Sequence, residues 1–256
     1  MKGSGREFIQ EAAGRVRAAL GESGSLTVLS GAGVSAESGI PTFRDMGGLW
    51  EQHDLSEVAT PEGYAANPKL VLDFYNERRR KLHDIQPNPG HVALTRLEEV
   101  LGDRFSIITQ NIDDLHERAG SRRVLHMHGE LLRARCSNPS CGRVSDWPGD
   151  IGYDDVCEQC SGPIRPHVVW FGEMPLYLER EIPEALGKAQ VFLSIGTSGT
   201  VYPAAGFVAD VKSAGGLTAE INLEPSENAF LFDLQILGPA GETLPLLVEE
   251  LVGSEG

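Results

Sequence analysis

The sequence predicts an α/β protein: a doubly wound, mostly parallel sheet with a smaller domain inserted into it. Three observations support that class. Short apolar runs at 26–29, 105–109, 191–195 and 217–223 have the length and character of buried strands, and each ends in small or hydrogen-bonding residues. Helical patterns at 88–100 and 203–214 lie between runs, which implies right-handed crossovers and a parallel sheet. All four cysteines fall in one polar stretch that belongs to neither pattern.

The N-terminus reads as an amphipathic helix with Phe8, Ile9, Ala12, Val16 and Leu20 on one side. Charges interrupt any apolar core there, so it is not read as an export signal. The first strand then runs into Ser30, Gly31, Ala32 and Gly33, followed by Ser35, Ala36, Glu37, Ser38 and Gly39. A strand entering glycine lets backbone N–H groups approach a pyrophosphate, and Ala36 stands where a dinucleotide fingerprint accepts alanine. Alone, GxGxxA is a weak signal. Its continuation past Gly39-Ile40-Pro41 puts Phe43, Arg44 and Asp45 on a loop, which suggests a dinucleotide that is consumed rather than merely held.

The second strand ends in Gln110, Asn111, Ile112, Asp113 and Asp114. Amide and carboxylate groups at a strand's C-terminal end suit ribose hydroxyls and a carboxamide. Asp113 or Asp114 could equally cap a helix. Further on, His126 and His128 precede Gly129. An imidazole titrates near neutrality and so suits proton transfer, and His128 has the better position for an exposed loop. The third strand ends in Gly196-Thr197-Ser198 and the fourth in Asn222-Leu223-Glu224-Pro225.

Cys136 and Cys141 form a loose pair, Cys157 and Cys160 a tight one, with fifteen residues between. Without an export signal, such clustering favours tetrahedral zinc over disulfides, a redox dithiol being the other reading. Four thiolates close the coordination sphere, so the metal is expected to be structural, tying down a segment too polar to hold itself by apolar burial.

The net charge of −15 and pI near 4.9 argue against non-specific binding to nucleic acid or anionic membrane. No run approaches the ~18 apolar residues of a membrane span. A cytoplasmic monomer is expected.

Taken together, GAGVSAESGIPTFRD, TQNIDDLHERAG, HMHGE, the two cysteine pairs, HVVWFGE, GTSGTVYPAAGF and NLEP resemble the sirtuins, NAD-dependent protein-lysine deacylases, from about residue 26 to 251. The resemblance implies a Rossmann-like large domain of about 1–44, 86–127 and 168–256. It implies a small domain of about 45–85 (helical) and 128–167 (zinc-binding ribbon). It places NAD against Gly31, Ala32, Gly33, Ser35, Ala36, Glu37, Thr42, Phe43, Arg44 and Trp50. It adds Gln110, Asn111, Ile112 and Asp113 on the nicotinamide and ribose side, and Gly196, Thr197, Ser198, Asn222, Leu223, Glu224 and Ala240 on the adenosine side. His128 falls on the catalytic base. Val168, Val169, Phe171 and Gly172 fall on the segment beside which an acylated-lysine peptide lies. The first cysteine pair departs from the commonest spacing. The implied products are free lysine, nicotinamide and 2′-O-acyl-ADP-ribose.

One feature is narrower than the family. Residues 69–82 read as a helix on which Tyr75 and Arg78, three apart, share a face. This Tyr-x-x-Arg pair resembles the acyl pocket of class III sirtuins, which prefer succinyl- and malonyl-lysine. A guanidinium fork and a phenol can bind a carboxylate by charge-assisted hydrogen bonds. The plain alternative is a solvated run, Arg78-Arg79-Arg80, beside a core tyrosine. Rival activities share parts of this logic: a hydride-transferring dehydrogenase, an ADP-ribosyltransferase, or an inactive nucleotide sensor.

Overall fold

Ser25–Ser30, the first long apolar strand, is buried on both faces and forms the middle of the protein. The structure, a computed structural model, describes residues 2–42 and 54–253. In chain order its strands are β1 (Lys2–Gly3), β2 (Ser25–Ser30), β3 (Phe105–Thr109), β4 (Val124–His126), β5 (Gly129–Cys136), β6 (Val144–Asp146), β7 (Ile164–Val168), β8 (Ala189–Ile195), β9 (Leu217–Asn222) and β10 (Leu234–Leu237). Seven of these build a parallel sheet in the order β1-β10-β9-β8-β2-β3-β4. β2 lies between β3 and β8, so successive crossovers run outward in opposite directions from it. A crevice opens outside the strand C-termini at such a switch point.

The long helices cover both faces. α1 (Arg6–Leu20), α6 (Pro89–Leu101) and α10 (Ala240–Val252) pack Ile9, Val16, Leu94, Leu97, Leu244 and Leu247 against Val28, Ile107 and Ile221. On the other face α8 (Glu181–Lys188) and α9 (Phe207–Ser213) bring Ile182, Leu186, Phe207 and Val211 onto Leu29, Ile108 and Phe192. The helix expected over 203–214 begins as a tight turn, Ala204–Gly206, before α9. The short strands β1, β4 and β10 lie outside the four runs predicted from apolarity.

The remaining helices are α2 (Ala32–Ala36), α3 (Leu55–Val58), α4 (Pro61–Ala66), α5 (Pro68–Leu82) and α7 (Leu115–Ala119); Val58, Phe74, Tyr75 and Leu115 of these share one cluster with Leu131, Val168 and Trp170. Three helix starts share one device. Thr60, Asn67 and Asn88 each precede a proline at the first helical position, and their side chains accept from Gly63, Leu70 and Gly90 N–H. The Asn88 amide also donates to Val34 O (2.7 Å) and Ser38 Oγ (3.0 Å), tying α6 to the loop after β2.

The second sheet is antiparallel, β6-β5-β7. Its apolar contribution is small: Leu72, Ala134, Ile151 and Ile164 around two of the cysteines. Polar side chains of α5 supply much of the docking. Arg79 donates to Trp147 O (2.5 Å) and Arg133 O (2.9 Å), and Asn76 exchanges hydrogen bonds with Ile151 N and O. Arg79 is wholly buried, which corrects the solvated-run reading for that residue. No helix of the described residues is long and apolar enough to cross a membrane.

Candidate active site

Four strands deliver the polar residues to one edge. Gly31, Ala32, Gly33, Ser35, Ala36 and Glu37 follow β2, Gln110 to Asp113 follow β3, and Gly196, Thr197 and Ser198 follow β8. Asn222, Leu223 and Glu224 end β9 or follow it, and Ala240 opens α10. Phe43, Arg44 and Trp50 lie outside the described residues.

The glycines have a reason the sequence did not reveal. Gly31 N–H donates to Ile195 O and Gly33 N–H to Gly196 O, both at 2.9 Å. A Cβ on Gly33 would sit 2.6 Å from Gly196 Cα, and one on Gly196, itself at φ +63°, 2.4 Å from Val34 N. Here the missing side chains first let two loops of the protein touch, and those two N–H groups are already engaged. Glu37 also has an internal partner: its carboxylate accepts from Gly241 N–H at 2.7 Å, within the first turn of α10. Leu223 is exposed, as is Phe171.

Beneath the crevice runs an ordered polar chain. Asn111 Nδ2–H donates to Ser35 Oγ, and Ser35 O–H donates to Asp113 Oδ2, each at 3.1 Å. Leu115 N–H donates to Asp113 Oδ1. These bonds favour the carboxylate, but burial outweighs them and pushes the Asp113 carboxyl up to about 6. Asp113 therefore does more than cap a helix. Ser30 O–H donates to Thr109 Oγ1 (2.8 Å) and accepts from His116 Nε2 (2.9 Å). His116 Nδ1 is buried without a partner among the described residues, and burial holds that ring neutral. His91, edge-on to His116 at 5.0 Å, is also driven down, to about 4, by burial. Neither histidine carries a sequence signal for this role.

His128 sits in the turn between β4 and β5, where the parallel sheet hands the chain to the antiparallel one. Its Nδ1 donates to Gln110 O at 3.0 Å, which leaves the lone pair on Nε2. Burial lowers its pKa, so the ring is neutral and basic at neutral pH. Its own carbonyl accepts from Val169 N–H at 2.8 Å. Of the segment 168–172, only Val168 belongs to a strand. Phe171 N–H bonds Ala59 O at 2.9 Å, and Gly172 turns at φ +90°.

Tyr75 and Arg78 face the same side of α5. Tyr75 is buried among Phe74, Leu131, Val168 and Trp170, and its oxygen accepts from the Trp170 indole N–H at 3.0 Å. The Arg78 guanidinium lies 3.3 Å from the Phe74 ring centroid and donates to Phe74 O at 2.9 Å. Burial lowers its pKa to about 10, so it stays a cation. Arg165 stacks 3.9 Å from the Trp170 ring and pairs with Glu173, whose other oxygen accepts from Trp170 N–H. Trp170 lies within HVVWFGE, and no local pattern marks it for these contacts.

The four cysteine sulfurs lie within 4.8 Å of one another, Cys136–Cys160 at 3.4 Å and Cys141–Cys157 at 3.7 Å. Tetrahedral Zn–S bonds of ~2.3 Å set sulfurs roughly 3.8 Å apart, so the donor set fits zinc and leaves no ligand position open. The loose first pair converges as well as the tight one.

A parallel sheet with a switch point at β2, a neutral imidazole after β4 and a tetrathiolate module define an α/β protein with a metal-binding module. Within that class, a model described as the Sir2 family matches residues 31–203. The NAD-dependent protein deacylase of Escherichia coli (strain K12) is 56% identical over 229 residues, covering 88% of this chain and 81% of that one. The protein of the same name from Salmonella typhimurium is 54% identical over 235 residues, covering 90% and 85%. The crystal structure of a Sir2 homologue–NAD complex superposes with TM-score 0.85 at 40% identity, over 93% of each chain. The chain belongs to the Sir2 family.

Proposed function

We propose that this chain is an NAD-dependent protein-lysine deacylase that removes acetyl, succinyl and malonyl groups, releasing nicotinamide and 2′-O-acyl-ADP-ribose. One observation carries the reading: the His128 imidazole, fixed by its bond to Gln110 O, offers a basic Nε2 beside the segment bearing Asn111 and Asp113. The relatives' shared name supports NAD and an acylated protein as co-substrates.

On this reading the residues after β2, β8 and β9 hold the dinucleotide, and Gln110 to Asp113 orient its nicotinamide and ribose. His128 accepts a proton from a ribose hydroxyl, general-base help that contributes roughly 10²–10⁴-fold. The acylated peptide runs along 168–172. Acidic acyl groups end at Tyr75 and Arg78, whose phenol and guanidinium suit a carboxylate. Zinc on the four cysteines holds the β5–β7 module in place. The division into a large domain around the parallel sheet and a small one around that module, as expected above, belongs to the same reading.

The test is product analysis. With NAD and matched acetyl-, propionyl- and succinyl-lysine peptides, mass spectrometry should find free lysine peptide, nicotinamide and acyl-ADP-ribose. Label from NAD appearing on protein instead would make the chain an ADP-ribosyltransferase.

A further inference from the structure

We propose that Glu117 and His126 are positioning residues: an ion pair between a buried imidazole and a half-exposed carboxylate that fixes the backbone of the Gln110–Asn111 segment for NAD. This rests on the deacylase reading above.

Two histidines of one short stretch hold successive carbonyls. His128 Nδ1 bonds Gln110 O at 3.0 Å, and His126 Nδ1 bonds Asn111 O at 3.2 Å. At the far nitrogen they differ. With Nδ1–H donating, neutral His128 keeps its lone pair on Nε2. His126 Nε2 instead meets Glu117 Oε1 at 2.8 Å. His126 thus faces an acceptor at each nitrogen, a carbonyl and a carboxylate. A neutral imidazole has one N–H and would set its lone pair against one of them, whereas the imidazolium donates to both. The imidazolium is therefore the form that fits both acceptors; the ring is 6% exposed and its Glu117 partner 41%.

The surroundings agree. Burial opposes the charge, but Glu117 on α7, Glu130 on β5 and the Asn111 carbonyl together lift the ring above its ordinary pKa. The imidazolium in turn favours the Asp113 carboxylate and disfavours protonation of His116 and His167. Residues 110–112 have no helix or strand of their own to hold them. With both carbonyls engaged, their peptide planes are set, and so is the direction in which the Asn111 side chain leaves the chain. When His126 loses its proton, one of its two bonds must break, and affinity for NAD falls.

The experiment measures NAD binding by calorimetry across pH for the full-length protein, Glu117→Gln and His126→Gln, with NMR of isotope-labelled histidine. The wild type should show a His126 imidazolium at neutral pH and weaker NAD binding once that proton is lost. Glu117→Gln should weaken NAD about 10-fold or more at neutral pH and move the alkaline limb down by about one unit. The KM of the acyl peptide should stay within about two-fold, as for a distant site. His126→Gln, a neutral donor, should erase the limb. A neutral His126 ring at neutral pH overturns the proposal, as does a Glu117→Gln protein with unchanged NAD affinity and pH profile. Equal losses for NAD and peptide with a lower melting temperature would mark a merely structural pair and also overturn it. Wild-type protein that binds NAD but deacylates nothing would sink the proposed function and leave the ion pair standing. No NAD binding at any pH would remove both.

Discussion

The indole N–H of Trp170 donates to the phenol oxygen of Tyr75 at 3.0 Å, and this bond decides what Tyr75 has left to offer. With its oxygen already accepting, the phenol turns its own O–H elsewhere. Burial pushes its pKa to about 12, so it remains a donor throughout the physiological range. Trp170→Phe keeps an aromatic ring against Arg165 but removes the indole donor. We expect kcat/KM for a succinyl-lysine peptide to fall by about 5-fold, the worth of one net hydrogen bond, with deacetylation little changed. Equal loss on both peptides would deny the bond any part in reading a carboxylate.

On the proposed reading, Arg78 supplies the charge that meets an acidic acyl group. Removing one partner of a buried, hydrogen-bonded charge pair costs on the order of 2–5 kcal/mol. Arg78→Met should therefore depress desuccinylation by about 30-fold or more and spare deacetylation, measured as kcat/KM on peptides differing only in the acyl group.

His128→Tyr should reduce turnover by roughly 10²–10⁴-fold while the circular dichroism spectrum stays native. In the wild type, burial lowers the His128 pKa, so the neutral base persists below the usual histidine range. Turnover limited by this group should fall only as pH drops through that lowered value. A variant with wild-type rates would remove His128 from the chemistry.

Asp113 is held at a cost to stability. Its folded pKa, about 6, lies above the ordinary 3.8 because of burial. A raised folded pKa means a stability contribution fully present below about pH 4 and lost as pH rises through 6. The shift corresponds to roughly 3 kcal/mol above that window. Asp113→Asn should accordingly raise the melting temperature at pH 7, have little effect near pH 4, and impair NAD use. Thermal melts at the two pH values give the sign directly.

Metal removal should act locally. A chelator strong enough to strip zinc, or Cys157→Ser, is expected to abolish amide-exchange protection in β5–β7 and with it activity. The seven-stranded sheet, with its own apolar core, should stay protected. Simultaneous loss of both sheets would mean that the metal supports the whole fold.

The sequence alone determined the parallel sheet and the tetrathiolate, because both are written in local pattern. Buried parallel strands are continuous apolar runs such as Val191 to Ile195, and paired cysteines can converge whatever turn lies between them. What the tertiary structure decided is pairing across distance. Arg79 looks like its exposed neighbour Arg80 until the carbonyls of Arg133 and Trp147 are brought over it. Gly33 shows no sign in the sequence of its close approach to Gly196. His126 looks like a core histidine until Glu117 and Asn111 meet its two nitrogens. Apolar burial declares itself along the chain because water is everywhere. A hydrogen bond depends on one particular partner, and here the decisive partners lie from nine to more than a hundred and sixty residues away.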